Sequence, residues 1–329
     1  MSKQQVCVLG AGSWGTALAL VLARSGQRQV RLYTREVEQV KQINSSRENS
    51  DYLPGIVLPD NIQLTADLDA AIDHIDACIY ALPCIAVEAY LPALATGDYP
   101  VIAACKGLHP EHLTRTDEML AQYIDRSRIA LLSGPSFAME VAQNQPTAIT
   151  MAAANLQLAA HAATFFDDTN FRIYLSDDVI GVAMGGALKN VIAIAAGMAD
   201  GLGLGHNSVA AVVTRGLSEV ARLTQACGGR SETLMGLSGL GDLVLTCTGS
   251  LSRNRRFGVA VAQGNNIETA QTEIGQVVEG VRTAQAVALM AKRLNVDVPL
   301  MQSVHQILIG QLEIEHALAQ LLSRPERPE

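Results

Sequence analysis

The chain has 329 residues, of which 49% are hydrophobic and 17% are charged, so it is long enough for two domains with sizeable apolar cores. Its net charge of −8 argues against a protein that coats nucleic acid or an anionic membrane. Lys189 interrupts the longest apolar stretch, and Met1 leads within a few residues into the first apolar run, without a signal peptide. We therefore expect a cytoplasmic protein with no stable membrane insertion and no nucleic-acid partner.

The first predicted elements are a strand, a glycine turn and a helix. An apolar run at residues 6–9 precedes Gly10-Ala11-Gly12-Ser13-Trp14-Gly15, and an Ala- and Leu-rich stretch follows. This arrangement is typical of a site for the pyrophosphate of a dinucleotide: Gly10 permits the tight turn, Gly12 lets the backbone approach phosphate, and Gly15 lets helix and strand pack closely. The alternative is a glycine turn that binds no ligand. The presence of a tryptophan at position 14 is explained equally well by packing in the core and by contact with the cofactor.

The second predicted strand ends in Leu32-Tyr33-Thr34-Arg35, without the acid that usually holds the ribose 2′-hydroxyl of NAD. Arg35 can pair with a 2′-phosphate, which favours NADPH over NADH. Two alternatives stay open. An arginine can stack on adenine without discriminating between NADPH and NADH, and Arg35, which has Glu36 beside it, can be an ordinary surface charge.

Apolar runs that alternate with helical stretches in the first half predict an α/β fold, a Rossmann-type doubly wound parallel sheet. The predicted strands are residues 6–9, 30–33, 77–81, 101–104, 129–132 and 147–151. Polar features follow several strands at their carboxyl ends, at Thr34-Arg35, Leu82-Pro83, Lys106-Gly107 and Ser133-Gly134-Pro135-Ser136. Since ligands bind along that edge of an open α/β sheet, we expect the site there.

After about Ser176 the sequence loses strand alternation and predicts an all-helical C-terminal domain. We place a dinucleotide-binding domain at 1–177 and a helical substrate-binding and catalytic domain at 178–329. Asp178 is a candidate cap for a helix that runs to about Ala199. Small residues along this helix allow a close approach to another backbone, and glycines after it break it; these are Gly181, Gly185, Gly186, Ala187, Gly201, Gly203 and Gly205.

Several segments have weaker interpretations. The six cysteines include no CxxC pair and lie mostly in apolar runs, which favours buried reduced thiols over a metal site. His109 and His112 are interpreted as a solvated surface pair rather than as metal ligands, so no metal is predicted. The segments 44–55 and 197–205 are either mobile covers or static loops, and the tail 323–329 is expected to fray.

Three further segments combine Lys, Asp or Arg with glycine, at 104–107, 185–190 and 238–257. Together with the glycine turn, Ser133-Gly134-Pro135-Ser136 and Val278-Glu279-Gly280, they closely resemble the bacterial NAD(P)-dependent glycerol-3-phosphate dehydrogenases, in order and with family-like spacing to about Gly310. The resemblance implies an oxidoreductase that interconverts dihydroxyacetone phosphate and sn-glycerol 3-phosphate for phospholipid synthesis. It also implies NADPH or NADH as cofactor and a homodimer.

The resemblance assigns roles to individual residues. Lys189 is implied to transfer the proton, with Lys106 holding substrate near the nicotinamide and Asn190 and Asp242 completing the catalytic set. The residues implied to contact glycerol phosphate are Lys106, Gly134, Ser136, Lys189, Asp242, Ser252, Arg253 and Asn254. Those implied to bind the cofactor are Gly10, Gly12, Ser13, Trp14, Gly15, Arg35, Lys106, Ala138, Arg253, Val277 and Glu279. Thr34 departs from relatives with a second basic residue there, so strict NADPH selectivity is not expected.

The chemistry agrees with these residue types. Reduction of the ketone delivers hydride to C2 while a proton reaches the carbonyl oxygen, so a positioned acid is needed. A lysine can serve when burial and a second cation such as Lys106 lower its pKa, and Asp242 would oppose part of that shift while orienting the ammonium. The alternatives are a snorkelling surface lysine for Lys189 and a turn or helix cap for Asp242.

The substrate's phosphate needs fixed donors, and Arg253 offers a planar fork beside the neutral donors Ser252 and Asn254. Arg255 or Arg256 is expected to be solvated or paired with an acid. Two rival functions remain. A β-hydroxyacid dehydrogenase places an asparagine four residues after its lysine, where this chain has Ala193, and a redox sensor needs a DNA- or partner-binding module, which the sequence does not show.

Overall fold

The computed structural model describes residues 3–317, so the tail expected to fray lies outside them. The chain divides into two compact units. Unit 1 comprises Met1–Lys106 and Arg115–Ala183, and unit 2 comprises Gly107–Thr114 and Met184–Glu329.

Unit 1 is built on one sheet. Its strands are β1 (Gln4–Leu9), β2 (Arg28–Tyr33), β3 (Ile62–Thr65), β4 (Ala77–Tyr80), β5 (Val101–Ala103), β6 (Ile129–Ser133), β7 (Thr147–Ala153) and β8 (Phe171–Ser176). They form a single eight-stranded sheet in the order β3-β2-β1-β4-β5-β6-β7-β8. The order reverses between β1 and β4, and ligands of open α/β folds bind at such a switch point.

The predicted doubly wound sheet is confirmed, with two differences. The strands β3 and β8 were missed, because both lie at sheet edges where exposed side chains weaken the hydrophobic signal; β8 keeps half-buried and exposed residues along its length. The pair β6 and β7 is antiparallel, not parallel. The only helix between them, α6 (Ala138–Ala142), has five residues and a length of about 8 Å, which is too short to carry the chain back along the sheet.

Helices cover both faces of this sheet. Besides α6 they are α1 (Ser13–Arg24), α2 (Val37–Ser46), α3 (Leu68–Ile72), α4 (Val87–Ala95), α5 (Thr116–Leu120) and α7 (Leu156–Ala163). Alternate residues of β1 serve separate cores: Val6 and Val8 pack in the cluster that contains α1, whereas Cys7 and Leu9 pack in the cluster that contains α4. Because β1 is buried on both faces, its sequence is a continuous apolar run.

The described part of unit 2 contains helices and no strand, which confirms the all-helical prediction. The helices are α8 (Val179–Gly201, which begins at the end of unit 1), α9 (Gly205–Ala226), α10 (Asp242–Thr248), α11 (Arg253–Ala262), α12 (Ile267–Ile274), α13 (Glu279–Leu294) and α14 (Pro299–Leu308). Asp178 caps α8 as predicted, since its Oδ1 accepts a hydrogen bond from Gly181 N at 2.9 Å. The helix ends at Gly201, and Gly203 and Gly205 both have positive φ angles.

The helix α8 forms the core of unit 2. It is the one helix among residues 3–317 that is long and apolar enough to cross a membrane, but 83% of its apolar window is buried inside the protein. A Cβ at Gly197 would lie 2.1 Å from the Arg255 carbonyl oxygen, and one at Gly258 would lie 2.2 Å from that of Ile194. Therefore α8 and α11 pack backbone against backbone.

One buried acid joins two helices of unit 2. Glu219 in α9 is 2% exposed, and its carboxyl oxygens accept hydrogen bonds from Leu300 N at 2.7 Å and Met301 N at 3.0 Å. It thereby caps the first turn of α14 from outside that helix. Burial raises the pKa of this carboxyl to about 7, although the two amide donors act in the opposite direction.

The minor predictions have mixed outcomes. All six cysteines are free thiols, of which Cys7, Cys78 and Cys247 are buried. The prediction of a solvated histidine pair is wrong for His109, which is 6% exposed and stacks on the ring of His112 with centroids 4.4 Å apart. Backbone N–H groups of the same loop donate to its Nδ1, so the loop folds over this ring.

Candidate active site

The glycine turn between β1 and α1 provides space and backbone donors. Gly10 has φ of +113°, and its N–H donates to Tyr33 O at 3.0 Å. A Cβ at Gly15 would lie 1.8 Å from the Gly10 carbonyl oxygen, so only glycine allows helix and strand to approach this closely. A Cβ at Gly12 would meet nothing within 4 Å. The turn is therefore tight on its inner side and open on its outer side.

The N-terminus of α1 suits an anion. No side chain caps this helix, and its first turn contains no acidic residue. The first amides of a helix have no intrahelical acceptor and carry the positive end of the helix dipole. Together with the open space at Gly12, these features fit the pyrophosphate of a dinucleotide.

A buried polar network surrounds the turn. Asn49, 2% exposed, donates from Nδ2 to Ala11 O and to Thr16 Oγ1, both at 2.8 Å. Gln39 donates from Nε2 to the same Ala11 oxygen at 3.0 Å, and Thr34 Oγ1 lies 2.7 Å from Gln39 Oε1. Sequence reasoning missed this network, because its members are far apart in the chain.

The segment 44–55 is tethered to this turn. Its first residues belong to α2, Asn49 takes part in the network, and Ser13 Oγ donates to Tyr52 O at 2.9 Å. These contacts hold the segment as a packed loop on unit 1.

Thr34 and Arg35, the two residues that follow β2, have different surroundings. Thr34 is 6% exposed and turned into the network, whereas the Arg35 side chain is 81% exposed and pairs with Glu36, with Nε and Oε1 2.9 Å apart. Arg35 is therefore an exposed cation at the end of β2, and Glu36 neutralises part of its charge.

Lys106 follows β5 and lies against the end of β6. Its Nζ donates to Gly134 O at 2.9 Å, and Ser136 Oγ donates to the same oxygen at 3.0 Å. Trp14 Nε1 donates to Ala104 O at 2.9 Å, two residues before the lysine. The structure thus brings Lys106, Gly134 and Ser136 together, while Ala138 begins α6 shortly beyond them.

In unit 2, Lys189 forms a buried ion pair. The residue is 7% exposed, and its Nζ donates to Asp242 Oδ1 and, at 2.9 Å, to Thr246 Oγ1. Thr246 Oγ1 also donates to the backbone oxygen of Asp242 at 2.6 Å. A π-helical turn at Leu237–Gly241 directly precedes Asp242, which is the first residue of α10. A lysine and an aspartate distant in sequence are therefore held face to face.

A neutral thiol lies near this pair. Burial raises the pKa of the neighbouring Cys247 thiol to about 12, so it carries no charge at neutral pH. Thr246 had not been predicted from the sequence. The available signal was its position four residues after Asp242, which places both side chains on the same face of α10.

A second chain of hydrogen bonds connects α8, α11 and α13. Asn190 Nδ2 donates to Glu279 Oε2 at 3.2 Å, and Asn254 Nδ2 donates to Asn190 Oδ1 at 3.0 Å. Asn254 Oδ1 in turn accepts from Gly280 N at 2.9 Å. Asn190 and Asn254 are buried, so this chain fixes the starts of α11 and α13 beside the residue that follows Lys189.

The start of α11 combines a charged group with helix amides. Ser252 caps the helix by accepting from Arg255 N at 3.2 Å, and the exposed Arg253 donates from Nη1 to Val277 O at 3.1 Å. Arg255 pairs with Asp200 at 2.6 Å, which confirms the expectation that one of the neighbouring arginines pairs with an acid. Arg253 is thus an exposed cation at the first position of this helix, and Arg256, three residues later, is exposed as well.

Comparison with protein families matches both units. Residues 5–159 match the N-terminal model of NAD-dependent glycerol-3-phosphate dehydrogenase, and residues 178–319 match the C-terminal model of the same family.

Individual proteins agree over the full length. The chain is 47% identical to a glycerol-3-phosphate dehydrogenase [NAD(P)+] of Thioalkalivibrio sulfidiphilus, with 100% of both chains covered. It is 41% identical to one from Bacillus pumilus, covering 98% of this chain and 94% of that protein. A crystal structure of glycerol-3-phosphate dehydrogenase from Coxiella burnetii matches with a TM-score of 0.93 and 40% identity, over 98% of this chain and 100% of that one.

Proposed function

The chain belongs to the NAD-dependent glycerol-3-phosphate dehydrogenase family, and from that premise we propose how its residues carry out the reaction. The activity is NAD(P)-dependent interconversion of dihydroxyacetone phosphate and sn-glycerol 3-phosphate. The observation that carries the proposal is the buried Lys189–Asp242 pair, because it holds a proton donor in a fixed direction away from bulk solvent.

Lys189 is the proton-transfer residue of this proposal. Bound reduced nicotinamide supplies the hydride that C2 of dihydroxyacetone phosphate accepts. In this direction the Lys189 ammonium gives its proton to the C2 oxygen, and in the reverse direction the neutral amine takes the proton from the C2 hydroxyl. Asp242 and Thr246 orient Nζ, so little reorganisation is needed when the proton moves.

The phosphate of the substrate is assigned to the start of α11. Arg253 contributes the charge and a planar fork, and the first amides of the helix add backbone donors. Ser252 and Asn254 keep these groups in place through the hydrogen bonds described above. Lys106, beside Gly134 and Ser136, is proposed as a further substrate-binding cation.

The cofactor is assigned to the glycine turn and the end of β2. Backbone amides at Gly12 and Ser13 bind the pyrophosphate, and Arg35 reads the 2′ position of the ribose. Since Glu36 pairs with Arg35, we expect use of both NADPH and NADH with a modest preference for NADPH. Trp14, Ala138, Val277 and Glu279 remain proposed as cofactor contacts.

The wider role is also a proposal. Glycerol 3-phosphate is the backbone of phospholipids, and reduction of the ketone by this enzyme would supply it in the cytoplasm. A homodimer is proposed from the family resemblance, and sedimentation measurements on the purified chain test it.

The test is oxidation of NADPH or NADH by the purified protein, followed by the absorbance of the reduced nicotinamide. We expect rapid turnover with dihydroxyacetone phosphate and at least about a hundredfold lower catalytic efficiency with unphosphorylated dihydroxyacetone, since the charged contacts to phosphate are lost. Cofactor binding without turnover of either ketone would refute the proposed function.

The variant Arg253→Ala tests the phosphate site. We expect a KM for dihydroxyacetone phosphate at least about tenfold higher, with a much smaller change for the unphosphorylated ketone. Arg256→Ala, which removes an exposed arginine of the same helix, is the matched control. An unchanged KM in Arg253→Ala would move the phosphate site elsewhere.

A further inference from the structure

The conformation of the glycine turn is set by side chains that lie outside the glycine motif. We propose that Asn49 and Gln39 are positioning residues that aim the Gly12 N–H at the pyrophosphate of the cofactor. The inference rests on the proposed placement of the cofactor at this turn, and it adds residues to which neither the motif nor the family resemblance gives a role.

The argument begins at the Ala11 carbonyl oxygen. It accepts from Asn49 Nδ2 at 2.8 Å and from Gln39 Nε2 at 3.0 Å, so two amide groups converge on one main-chain atom. Ala11 is itself 4% exposed. Two donors on the same carbonyl remove its freedom to rotate about the bonds that flank the peptide.

A planar trans peptide transmits this constraint to the next residue. The C=O of Ala11 and the N–H of Gly12 belong to one peptide unit and point in opposite directions. The described chain contains no cis peptide bond. Fixing the carbonyl toward Asn49 and Gln39 therefore fixes the Gly12 N–H away from them, and the space where a Gly12 side chain would stand is open.

Both side-chain amides are themselves held in orientation. Asn49 also donates to Thr16 Oγ1 at 2.8 Å, and Thr16 is fully buried in α1. The Thr34 hydroxyl donates to Gln39 Oε1 at 2.7 Å. Because the amide oxygen of Gln39 can only accept, this bond fixes the amide with Nε2 facing Ala11. The network thus joins the end of β2, the start of α1 and the loop after α2 around one peptide unit.

The experiment uses neutral replacements of similar size that cannot donate, Asn49→Leu and Gln39→Met. The matched control is Gln42→Met, on the same helix, whose amide donates to Ser50 Oγ at 2.9 Å and is exposed. The dissociation constant for NADH is measured by calorimetry and by energy transfer from Trp14, the only tryptophan of the chain. Thermal unfolding is recorded for each variant.

We expect NADH to bind about three- to tenfold more weakly to Gln39→Met and about tenfold more weakly to Asn49→Leu, with less than a twofold change in Gln42→Met. The decisive readout is a double-mutant cycle with Gly12→Ala. If the amides act through the Gly12 N–H, the losses overlap when Gly12→Ala is combined with Gln39→Met, whereas a merely structural contribution adds fully.

Two results overturn the inference: wild-type affinity in both amide variants, or fully additive losses in the cycle. Gln39 is only half-buried on the surface of α2, so Gln39→Met keeps the test valid if Asn49→Leu fails to fold. Failure of the proposed cofactor placement is distinguishable, because then Gly12→Ala itself leaves the affinity for NADH unchanged.

Discussion

The two units offer polar ligands very different surfaces. Around the turn of unit 1, the proposed binding groups are main-chain amides, and glycine provides the room for them. In unit 2 the central group is a side-chain charge, Lys189, which is buried and needs Asp242 from another helix to offset the loss of solvation. A site made of backbone can be encoded in consecutive residues. A site made of buried charge requires partners from separate helices.

The largest effect is expected from a substitution that disrupts the charged site of unit 2. Lys189→Met should lower kcat by at least about a hundredfold, because no proton donor of matching position remains. The same change leaves Asp242 buried without its cation, so we expect a loss of about 3–5 kcal/mol in the free energy of unfolding, relieved by the double variant Lys189→Met/Asp242→Asn. Rapid-mixing kinetics and denaturant titration measure the two effects.

The exposed Lys292 of α13, as Lys292→Met, is the control for this prediction. Near-normal turnover in Lys189→Met would show that the lysine does not transfer the proton. The proposed difference between a backbone site in unit 1 and a charged site in unit 2 would then no longer hold.

A second prediction separates fold from binding inside the turn. Gly15→Ala places a Cβ against the Gly10 carbonyl oxygen, so we expect a loss of about 1–3 kcal/mol or more in stability. Gly12→Ala meets open space at an ordinary backbone conformation, with φ of −77°, so it should fold normally and bind NADH more weakly. Calorimetric titration and thermal unfolding of both variants provide the comparison, and equal stability losses would contradict it.

A third prediction concerns a buried carboxyl group of unit 2 outside the site, that of Glu219. The pKa of Glu219 is raised to about 7 in the folded protein, above the value of about 4.3 expected when unfolded. The stability that this protonated group contributes is complete below about pH 4 and is lost as pH rises through 7, a change of about 2 kcal/mol between pH 5 and 7.

Glu219→Gln should flatten the pH dependence of the unfolding free energy by that amount, whereas Glu268→Gln, at an exposed position of α12, should leave it unchanged. Denaturant titrations across this pH interval make the measurement. Parallel curves for wild type and Glu219→Gln would count against the buried protonated carboxyl.

The smallest effect is expected at the exposed charge of unit 1. Arg35→Gln should lower the ratio of NADPH to NADH affinity by about two- to fivefold, since an exposed ion pair contributes only about 0.2–1 kcal/mol. Glu36→Gln should change the ratio in the opposite direction. Both shifts should shrink as salt is added. A ratio that does not respond to either variant would assign cofactor choice to another residue.

The sequence predicted the fold and the strand-turn-helix unit at the N-terminus well for a physical reason. Residues 4–24 contain a strand, a turn and a helix in one contiguous stretch, so local pattern was sufficient. The edge strands β3 and β8 were missed because half of the side chains of β3 and all of those of β8 are not buried. The orientation of β7 depended on the shortness of α6, which the pattern did not reveal.

The helical site was less accessible to local reasoning. Lys189 and Asp242 are 53 residues apart, and no spacing rule connects them, so their pairing was expected only from the family resemblance. Thr246 was missed although it shares a helix face with Asp242. The roles of the individual site residues stay predictions until the variants are measured.

The backbone contact between α8 and α11 carries an evolutionary consequence. Lys189 and Asn190 stand on one helix and Arg253 and Asn254 on the other, and the distance between them is set where Gly197 and Gly258 touch opposite carbonyls. Even a methyl group at either glycine would push the helices apart, and a displacement of about 1 Å can cost two orders of magnitude in rate. Natural sequences should therefore vary as little at Gly197 and Gly258, which have no side chain to contribute to the site, as at the charged residues of the site.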